Sequence, residues 1–256
     1  MDKEKPKISV ITPVFNNVAT VEKTINSVAN QRYPHIEYIV IDGGSTDGSV
    51  EIIQKHNAAI TYWCSEHDNG ISDAFNKGID AASGDIIGII NADDWYEPDA
   101  LHTVAEFFPE YDIVYGKVNY WLDNKIINVK GGNHKKLLSG WRGMTLPHPS
   151  MFVKKETYER VGNFDLSYRN ALDYHFVLRA AAAEARFYNT NKVIANFAAG
   201  GATSKDRKNS LQEEKRAKTE VLQMNRLLAG FQYFLKSALI HALGNVLHRL
   251  PLDRFR

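Results

Sequence analysis

Apolar and polar positions follow two alternating periods over roughly the first hundred residues of the chain. Ile8 to Val14 is a β-branched run that ends at Asn16-Asn17 and predicts a strand. Val21, Ile25 and Val28 then share one helical face. A second apolar run, Tyr38-Ile39-Val40-Ile41, stops at Asp42-Gly43-Gly44. Ser49 to His56 is helical with Val50 and Ile53 aligned, Ile60 to Cys64 is a third strand, and Ile71 to Ala82 is a helix with Ile71, Phe75 and Ile79 at spacing four. Asp85 to Ile90 is the fourth strand. Strand and helix at short intervals predict βαβ units, hence an α/β fold with a mostly parallel sheet flanked by helices. Such sheets bind ligands beyond the carboxyl ends of their strands. Asn16, Asp42 and Asp93 each lie just past one.

The pattern is less regular further on. Asp112 to Tyr120 and Lys125 to Val129 predict two strands joined by a turn at Asp123-Asn124, and Gly131 to Pro147 reads as a loop. Ser150 to Val153 predicts a short strand, Lys155 to Val161 and Tyr174 to Ala183 helices, and Val193 to Ala198 a late strand. Gly200 to Asn209 is polar and reads as a mobile connection. Leu211 to Leu250 is helical, and Pro251 would end it. Leu227, Phe231, Phe234, Ala238, Ala242, Val246 and Leu250 form one stripe, and Asn225 to Arg256 carries five Lys or Arg against one Asp. A basic amphipathic segment can lie on an anionic membrane surface, pack back on its own domain, or meet a second copy as a homodimer. The expected organisation is a domain over 1–220, divided at 115/116, followed by an amphipathic helical tail over 221–256.

With 256 residues, 44% hydrophobic and 24% charged, the chain suits one large soluble domain or a domain with an appendage. Lys plus Arg is 31 against 30 Asp plus Glu, so no global field attracts nucleic acid and no such partner is expected. One cysteine, Cys64, allows no internal disulfide and fits a reducing compartment. Met1 to Lys7 runs into the first strand without an apolar signal region, and no stretch of about eighteen uncharged apolar residues follows. A cytoplasmic chain without a transmembrane helix is therefore expected, with the basic tail allowing a place at the inner face of the plasma membrane.

Asn91-Ala92-Asp93-Asp94 is the most informative stretch. It follows Ile86, Ile87, Ile89 and Ile90, a run that reads as a buried strand. Two adjacent carboxylates at its tip repel each other, and neither can enter a core unpaired. A divalent cation carrying a phosphate would resolve both problems, because hard cations take oxygen ligands and share them with substrate phosphates. A polar loop is the plainer alternative. Asp42 likewise could accept a hydrogen bond from a base or ribose, or simply close the Gly43-Gly44 turn, with Asp47 or Ser49 as a helix cap. Neither a P-loop nor the Gly-x-Gly-x-x-Gly fingerprint is present.

Taken together, Val10-Ile11-Thr12-Pro13-Val14-Phe15-Asn16, Val40 to Gly48, Asp68-Asn69-Gly70, Asn76-Lys77-Gly78 and Asn91-Ala92-Asp93-Asp94 resemble the family 2 glycosyltransferases with the GT-A fold, of the bacterial polysaccharide-biosynthesis type. The likeness thins after Tyr115 and returns at His148 to Val153, at Gly162-Asn163-Phe164-Asp165, and from Leu172-Asp173-Tyr174 to Arg179. The resemblance implies an inverting, metal-dependent enzyme with Mn or Mg as cofactor. It would move a sugar from a nucleotide-diphosphate sugar to the hydroxyl of a glycan or lipid-linked acceptor. By that analogy 1–115 is the nucleotide-sugar-binding half and 116–220 the acceptor half. Pro13, Phe15, Asn16, Asp42, Gly44, Asp68, Asn76, Asn91, Ala92 and Asp93 would line the donor, with Asp42 on the base and Asp93 and Asp94 at the metal. Asp173 would be the general base, and His148, Trp141, Arg142 and Arg179 would lie near the acceptor or the diphosphate.

Two departures stand out. Asn91 and Leu172 occupy positions where that family usually carries an acid. They are the best argument for a rival reading, a catalytically silent nucleotide-sugar-binding protein. A second rival, a sugar nucleotidyltransferase, needs a glycine-rich basic first loop, which Val14-Phe15-Asn16-Asn17 lacks. Trp95 could shape the donor pocket or anchor the loop that carries it. The chemistry agrees with the family likeness: a cation can neutralise the departing diphosphate, one carboxylate can take the attacking hydroxyl's proton, and inversion requires no second one.

Overall fold

Strand β1 (Ile8–Val14) is buried along its whole length because both edges are paired and both faces covered. It runs parallel to β2 (Ile36–Asp42) on one side and β4 (Ile86–Ile89) on the other, and β3 (Tyr62–Ser65) extends the same parallel sheet beyond β2. The computed structural model describes residues 5–108, 110–138, 143–199 and 206–249. Helices α1 (Val21–Ala29), α2 (Ser49–Lys55) and α3 (Ile71–Ala81) are the crossovers. Strands covered on both faces lose the apolar–polar alternation of a half-exposed sheet. Their side chains alternate between two cores instead. Ile8, Val10, Val40, Ile86 and Ile90 join the core that buries Val21, Ile25 and Val28 of α1. Ile11, Ile39, Ile41, Ile87 and Ile89 join the other, against Phe75 and Ile79 of α3. Gly88 interrupts the fourth run for a packing reason: a Cβ there would lie 2.5 Å from the Phe152 ring.

The second half adds β5 (Trp95–Tyr96), β6 (Ile113–Leu122), β7 (Lys125–Lys130), β8 (Phe152–Lys154) and β9 (Phe187–Ala198). The sheet order is β3-β2-β1-β4-β8-β6-β9-β5, with β7 beside β6. β9 runs parallel to β6, and every antiparallel pairing involves a strand of this half, β8 joining it to β4. Helices α4 (Ala100–Ala105), α5 (Lys155–Val161) and α6 (Leu172–Ala182) complete an α/β fold with a mostly parallel sheet flanked by helices. The hairpin turn has φ of 48° at Asp123 and 61° at Asn124, the left-handed pair that a two-residue connection requires.

Several boundaries differ from the sequence reading. β3 begins at Tyr62 rather than Ile60, and β9 begins at Phe187, because its first half pairs with Ile113–Tyr115 of β6 without a continuous apolar run. α4 and β5 were not anticipated, being short. Helix α6 begins at Leu172, which brings Asp173 into its first turn. Ile71 is 38% exposed, so Ala74 and Gly78 complete the buried face of α3 with Phe75 and Ile79. The long C-terminal helix is two helices, α7 (Arg207–Val221) and α8 (Arg226–Arg249), so Arg207 to Asn209 are helical rather than part of a connection. The break contains Gln223 in the left-handed region. Residues 200–205 lie outside the described residues. On α8, Ala229 and Gln232 are buried while Leu227, Phe231 and Phe234 are exposed. The predicted stripe therefore faces away from the protein over its described part. Among the described residues no helix is long and apolar enough to cross a membrane.

Candidate active site

The acidic tip is a closed turn after β4. Asp94 donates its amide to the Asn91 carbonyl at 3.0 Å. Thr24 of α1 holds the turn from below, donating to the Asp94 carbonyl at 2.6 Å. Ala92 is buried. Asp94 is fully buried. Its Oδ1 accepts the Ala198 amide of β9 at 3.0 Å, while its Oδ2 has no partner. Asn91 also carries a buried Oδ1 without a partner. Burial raises the Asp93 carboxyl, and burial followed by the charge of Asp93 raises Asp94 well above the usual carboxylate range. An unpaired buried acceptor costs about 1–3 kcal/mol, and two lie at this one tip. Asp93, Asn91 Oδ1 and Asp94 Oδ2 form an all-oxygen set of the kind hard cations take. Protein ligands alone do not complete it. Among the described residues no group of three or more His, Cys, Asp or Glu could hold a metal ion.

Three loops meet at the neighbouring strand ends. Asn16, at φ 52°, accepts the Thr46 amide on its side chain, and its own amide donates to Ser45 Oγ. Asp42 is fully buried, and its carboxylate accepts from the amides of Gly44 and Ser45 (3.1 and 3.0 Å) and from the hydroxyls of Ser45 and Ser65 (2.5 and 2.6 Å). Asp42, the residue expected on the base, thus also builds the turn. Gly44, at φ +85°, belongs to that turn. Gly43 has a different role. A Cβ there would lie 2.3 Å from Asp68 Oδ2, so the absent side chain leaves room for the Asp68 carboxylate. Asp68 is half-buried, with Oδ1 accepting the Gly70 amide at 2.9 Å. Phe15 beside it is 60% exposed, and Pro13 is buried within β1. Phe15 and Asp68 are thus the open groups of this patch.

Asp173 lies half-buried in the first turn of α6, its Oδ1 accepting the Tyr174 amide at 2.7 Å. Burial, and then the charge of Glu214 on α7, push its carboxyl up to about 6. Tyr120 of β6 feels the charge of both this residue and the acidic tip. Its ring packs on Phe197 at 4.9 Å, next to the Ala198 amide that binds Asp94. Burial, then the charges of Asp94 and Asp173, raise its phenol. Sequence reasoning missed Tyr120 because it sits in an ordinary strand. Tyr120 also forms one wall of a cavity of about 380 Å³ with Lys130, Asn133, Lys136, Thr145 and Pro147. A larger groove, about 1160 Å³, lies at the opposite ends of the strands, beside Pro6, Pro34 and Asp85, and holds none of these acids.

His148 opens a single turn, His148–Ser150, and stacks on Phe75 at 5.4 Å with the rings 4° from parallel. Burial lowers its imidazole to about 4, so it is neutral near pH 7. Two of the expected site residues are bound to backbone. Asn76 spends both ends of its amide on the Phe164 backbone, at 2.8 and 2.9 Å, and so braces a loop instead of lining the donor. Arg179 gives both terminal nitrogens of its guanidinium to the carbonyls of Val161, Gly162 and Asn163, so it faces backbone rather than a diphosphate. Trp95 is an anchor: its ring lies 2.9 Å from the Lys23 ammonium and 5.5 Å from the Trp121 ring, which is itself bonded to Asn196. Trp141 and Arg142 lie outside the described residues.

Residues 9–176 match the family described as Glycosyl transferase family 2. An uncharacterized glycosyltransferase of Mycobacterium tuberculosis, Rv1514c, is 34% identical over 183 residues, 69% of this chain and 69% of its own. A PGL/p-HBAD biosynthesis glycosyltransferase of Mycobacterium bovis is 30% identical over 181 residues, 68% of this chain and 69% of its own. Among solved structures, the mannosyltransferase PcManGT from Pyrobaculum calidifontis, in complex with GDP-Man and Mn2+, superposes with a TM-score of 0.70 at 18% identity, covering 98% of this chain and 77% of that one. At that identity the likeness concerns the fold.

Proposed function

The chain belongs to glycosyl transferase family 2, and on that premise we propose that it moves a sugar, with inversion, from a nucleotide-diphosphate sugar to an acceptor hydroxyl. The observation that carries this reading is the pair of unpaired buried oxygens, Asn91 Oδ1 and Asp94 Oδ2, flanking Asp93, with Asp173 reached across Tyr120. Asp93, Asn91 and Asp94 would hold a divalent cation, which when bound neutralises the leaving diphosphate as a Lewis acid. The base stacks or packs near exposed Phe15 and hydrogen-bonds to Asp68, the carboxylate left open where Asp42 is closed.

In the transfer step the acceptor oxygen forms a bond to the anomeric carbon, and the bond from that carbon to the diphosphate oxygen breaks. The acceptor proton passes to the Asp173 carboxylate, and the electron pair leaves with the nucleoside diphosphate. Asp173 suits this role because a base with a raised proton affinity, titrating near 6, is ionised at neutral pH yet takes a proton readily. Neutral His148 supplies a hydrogen bond at the acceptor side without adding charge. The mycobacterial relative acts in PGL/p-HBAD biosynthesis by its name, which supports a lipid-linked or cell-surface glycan as acceptor. The exposed Leu227, Phe231, Phe234 and Leu235 of α8, beside Arg226, support peripheral contact with an anionic membrane at its inner face. A homodimer through the same face is the competing use.

The test is a thermal-shift panel of nucleoside diphosphates and nucleotide sugars with and without Mn²⁺. Ligands that bind only the folded form raise the melting temperature. The expected result is one nucleotide series that stabilises only with the ion present. Stabilisation by none of them, or the same stabilisation after Asp93→Ala, would remove the reading.

A further inference from the structure

The segment that leads into the candidate base is fastened by a helix beyond the matched family region. The amides of Arg169, Asn170 and Ala171 all donate to one carboxylate, Glu213 of α7, at 2.8 to 3.1 Å. Helix α6 starts immediately after them and has no side-chain cap of its own, since Ala171 has no oxygen to offer. The same face of α7 continues the grip. One turn on, Arg216 donates to the carbonyl and hydroxyl of Ser167 (3.1 and 3.0 Å), its guanidinium 3.7 Å from the Tyr168 ring centroid. A further turn on, Glu220 accepts the Tyr168 hydroxyl at 2.6 Å. Positions 213, 216 and 220 follow helical spacing, so one stripe of α7 binds residues 167 to 171 as a strap.

We infer that Glu213 is a positioning residue for Asp173. It fixes the entry of α6 and thereby the distance between Asp173 and the acidic tip. This rests on the reading of Asp173 as the base. Three features favour positioning over general stability. The bonds converge on backbone two to four residues before Asp173. A carboxylate at a helix N-terminus also complements the dipole there. And the residue that follows, Glu214, which faces Asp173, is held by Lys236 of α8 at 2.7 Å. The matched family region ends at residue 176, so α7 lies beyond it. A misplacement of about 1 Å can cost about a hundredfold in rate, which makes such a strap consequential.

The groups that face Asp173 are Glu214 on α7 and Tyr120 on β6, the latter also within reach of Asp94. The experiment compares the whole protein with Glu213→Ala and Glu213→Gln, following the Asp173 carboxyl by carbon NMR titration and amides 169 to 171 by hydrogen exchange. No ligand is needed. Glu213→Ala is expected to speed exchange of those amides about ten- to a hundredfold, as each loses a charge-assisted bond, and to lower the Asp173 midpoint as the turn opens to water. Glu213→Gln keeps an acceptor and is expected to retain most of both. Wild-type exchange and titration in Glu213→Ala would overturn the inference. So would Glu213→Gln shifting Asp173 fully while the amides stay protected, because charge rather than placement would then be acting. Should Glu213→Ala not fold, the Glu213→Gln comparison decides alone: retention of both readouts supports placement, and the shift with protected amides refutes it. Undiminished sugar transfer by Asp173→Asn would instead fail the reading of the base, whatever these amides do.

Discussion

Replacing Asp173 by Asn should make the protein more stable at neutral pH while abolishing transfer. The unfolded chain releases this proton near 3.8 and the folded protein near about 6. Between those values only the unfolded state is charged. The folded state therefore loses stability as pH rises through that window, and the full penalty stands above it. A displacement from 3.8 to about 6 corresponds to about 3 kcal/mol, and solvent reaching the half-exposed carboxyl reduces this to about 1–2 kcal/mol. Asn keeps the oxygen that accepts the Tyr174 amide, so little is lost in return. The expected outcome is a melting temperature higher by about 2–8 °C at about pH 8, shrinking towards zero below about pH 3, where both states of the wild type are protonated. Calorimetry at the two pH values checks this, beside donor turnover. A variant less stable at the higher pH, or a difference unaffected by pH, would refute the reasoning about burial. Wild-type turnover would move the base elsewhere.

The two acids of the nucleotide patch should separate by their effects. Asp42→Ala removes four hydrogen bonds from a buried turn and should cost about 2–4 kcal/mol in denaturant unfolding; a neutral effect would return Asp42 to the ligand. Asp68→Ala should leave stability almost unchanged and raise the donor KM, and an unchanged KM would remove Asp68 from base recognition. Deleting residues from Leu227 onward should reduce co-sedimentation with anionic vesicles. Equal sedimentation of both forms, with a change in mass by light scattering, would assign the exposed face of α8 to a second copy.

The parallel half of the fold was legible because both-face burial writes continuous apolar runs and crossover helices write period 3.6, so β1 to β4 and α1 to α3 fall close to where the pattern puts them. The acidic tip was legible for a related reason: two adjacent carboxylates directly after a buried run need a source of positive charge, and no Lys or Arg stands beside them in the chain. What stayed hidden depends on partners far along the chain. Asp42 and Asp68 look equally available in sequence, and only the Ser45 and Ser65 hydroxyls close the first while Gly43 makes room for the second. Asn76 and Arg179 sit in matching motifs, yet both are consumed by the backbone between Val161 and Phe164. Tyr120 carries no local signal at all; its place beside Asp94 and Asp173 comes from the pairing of β6 with β9. The charges that fasten α6 lie more than forty residues downstream.

The central claim is that the Asn91–Asp94 turn holds a cation and, through it, a nucleoside diphosphate. Water-proton relaxation of Mn²⁺ in the presence of UDP and of GDP measures it directly, with the wild type beside Asp93→Asn. The account predicts a ternary complex with one of these nucleotides in the wild type and its loss in the variant, with the fold intact by circular dichroism. A variant that assembles protein, Mn²⁺ and nucleotide as tightly as the wild type would contradict it.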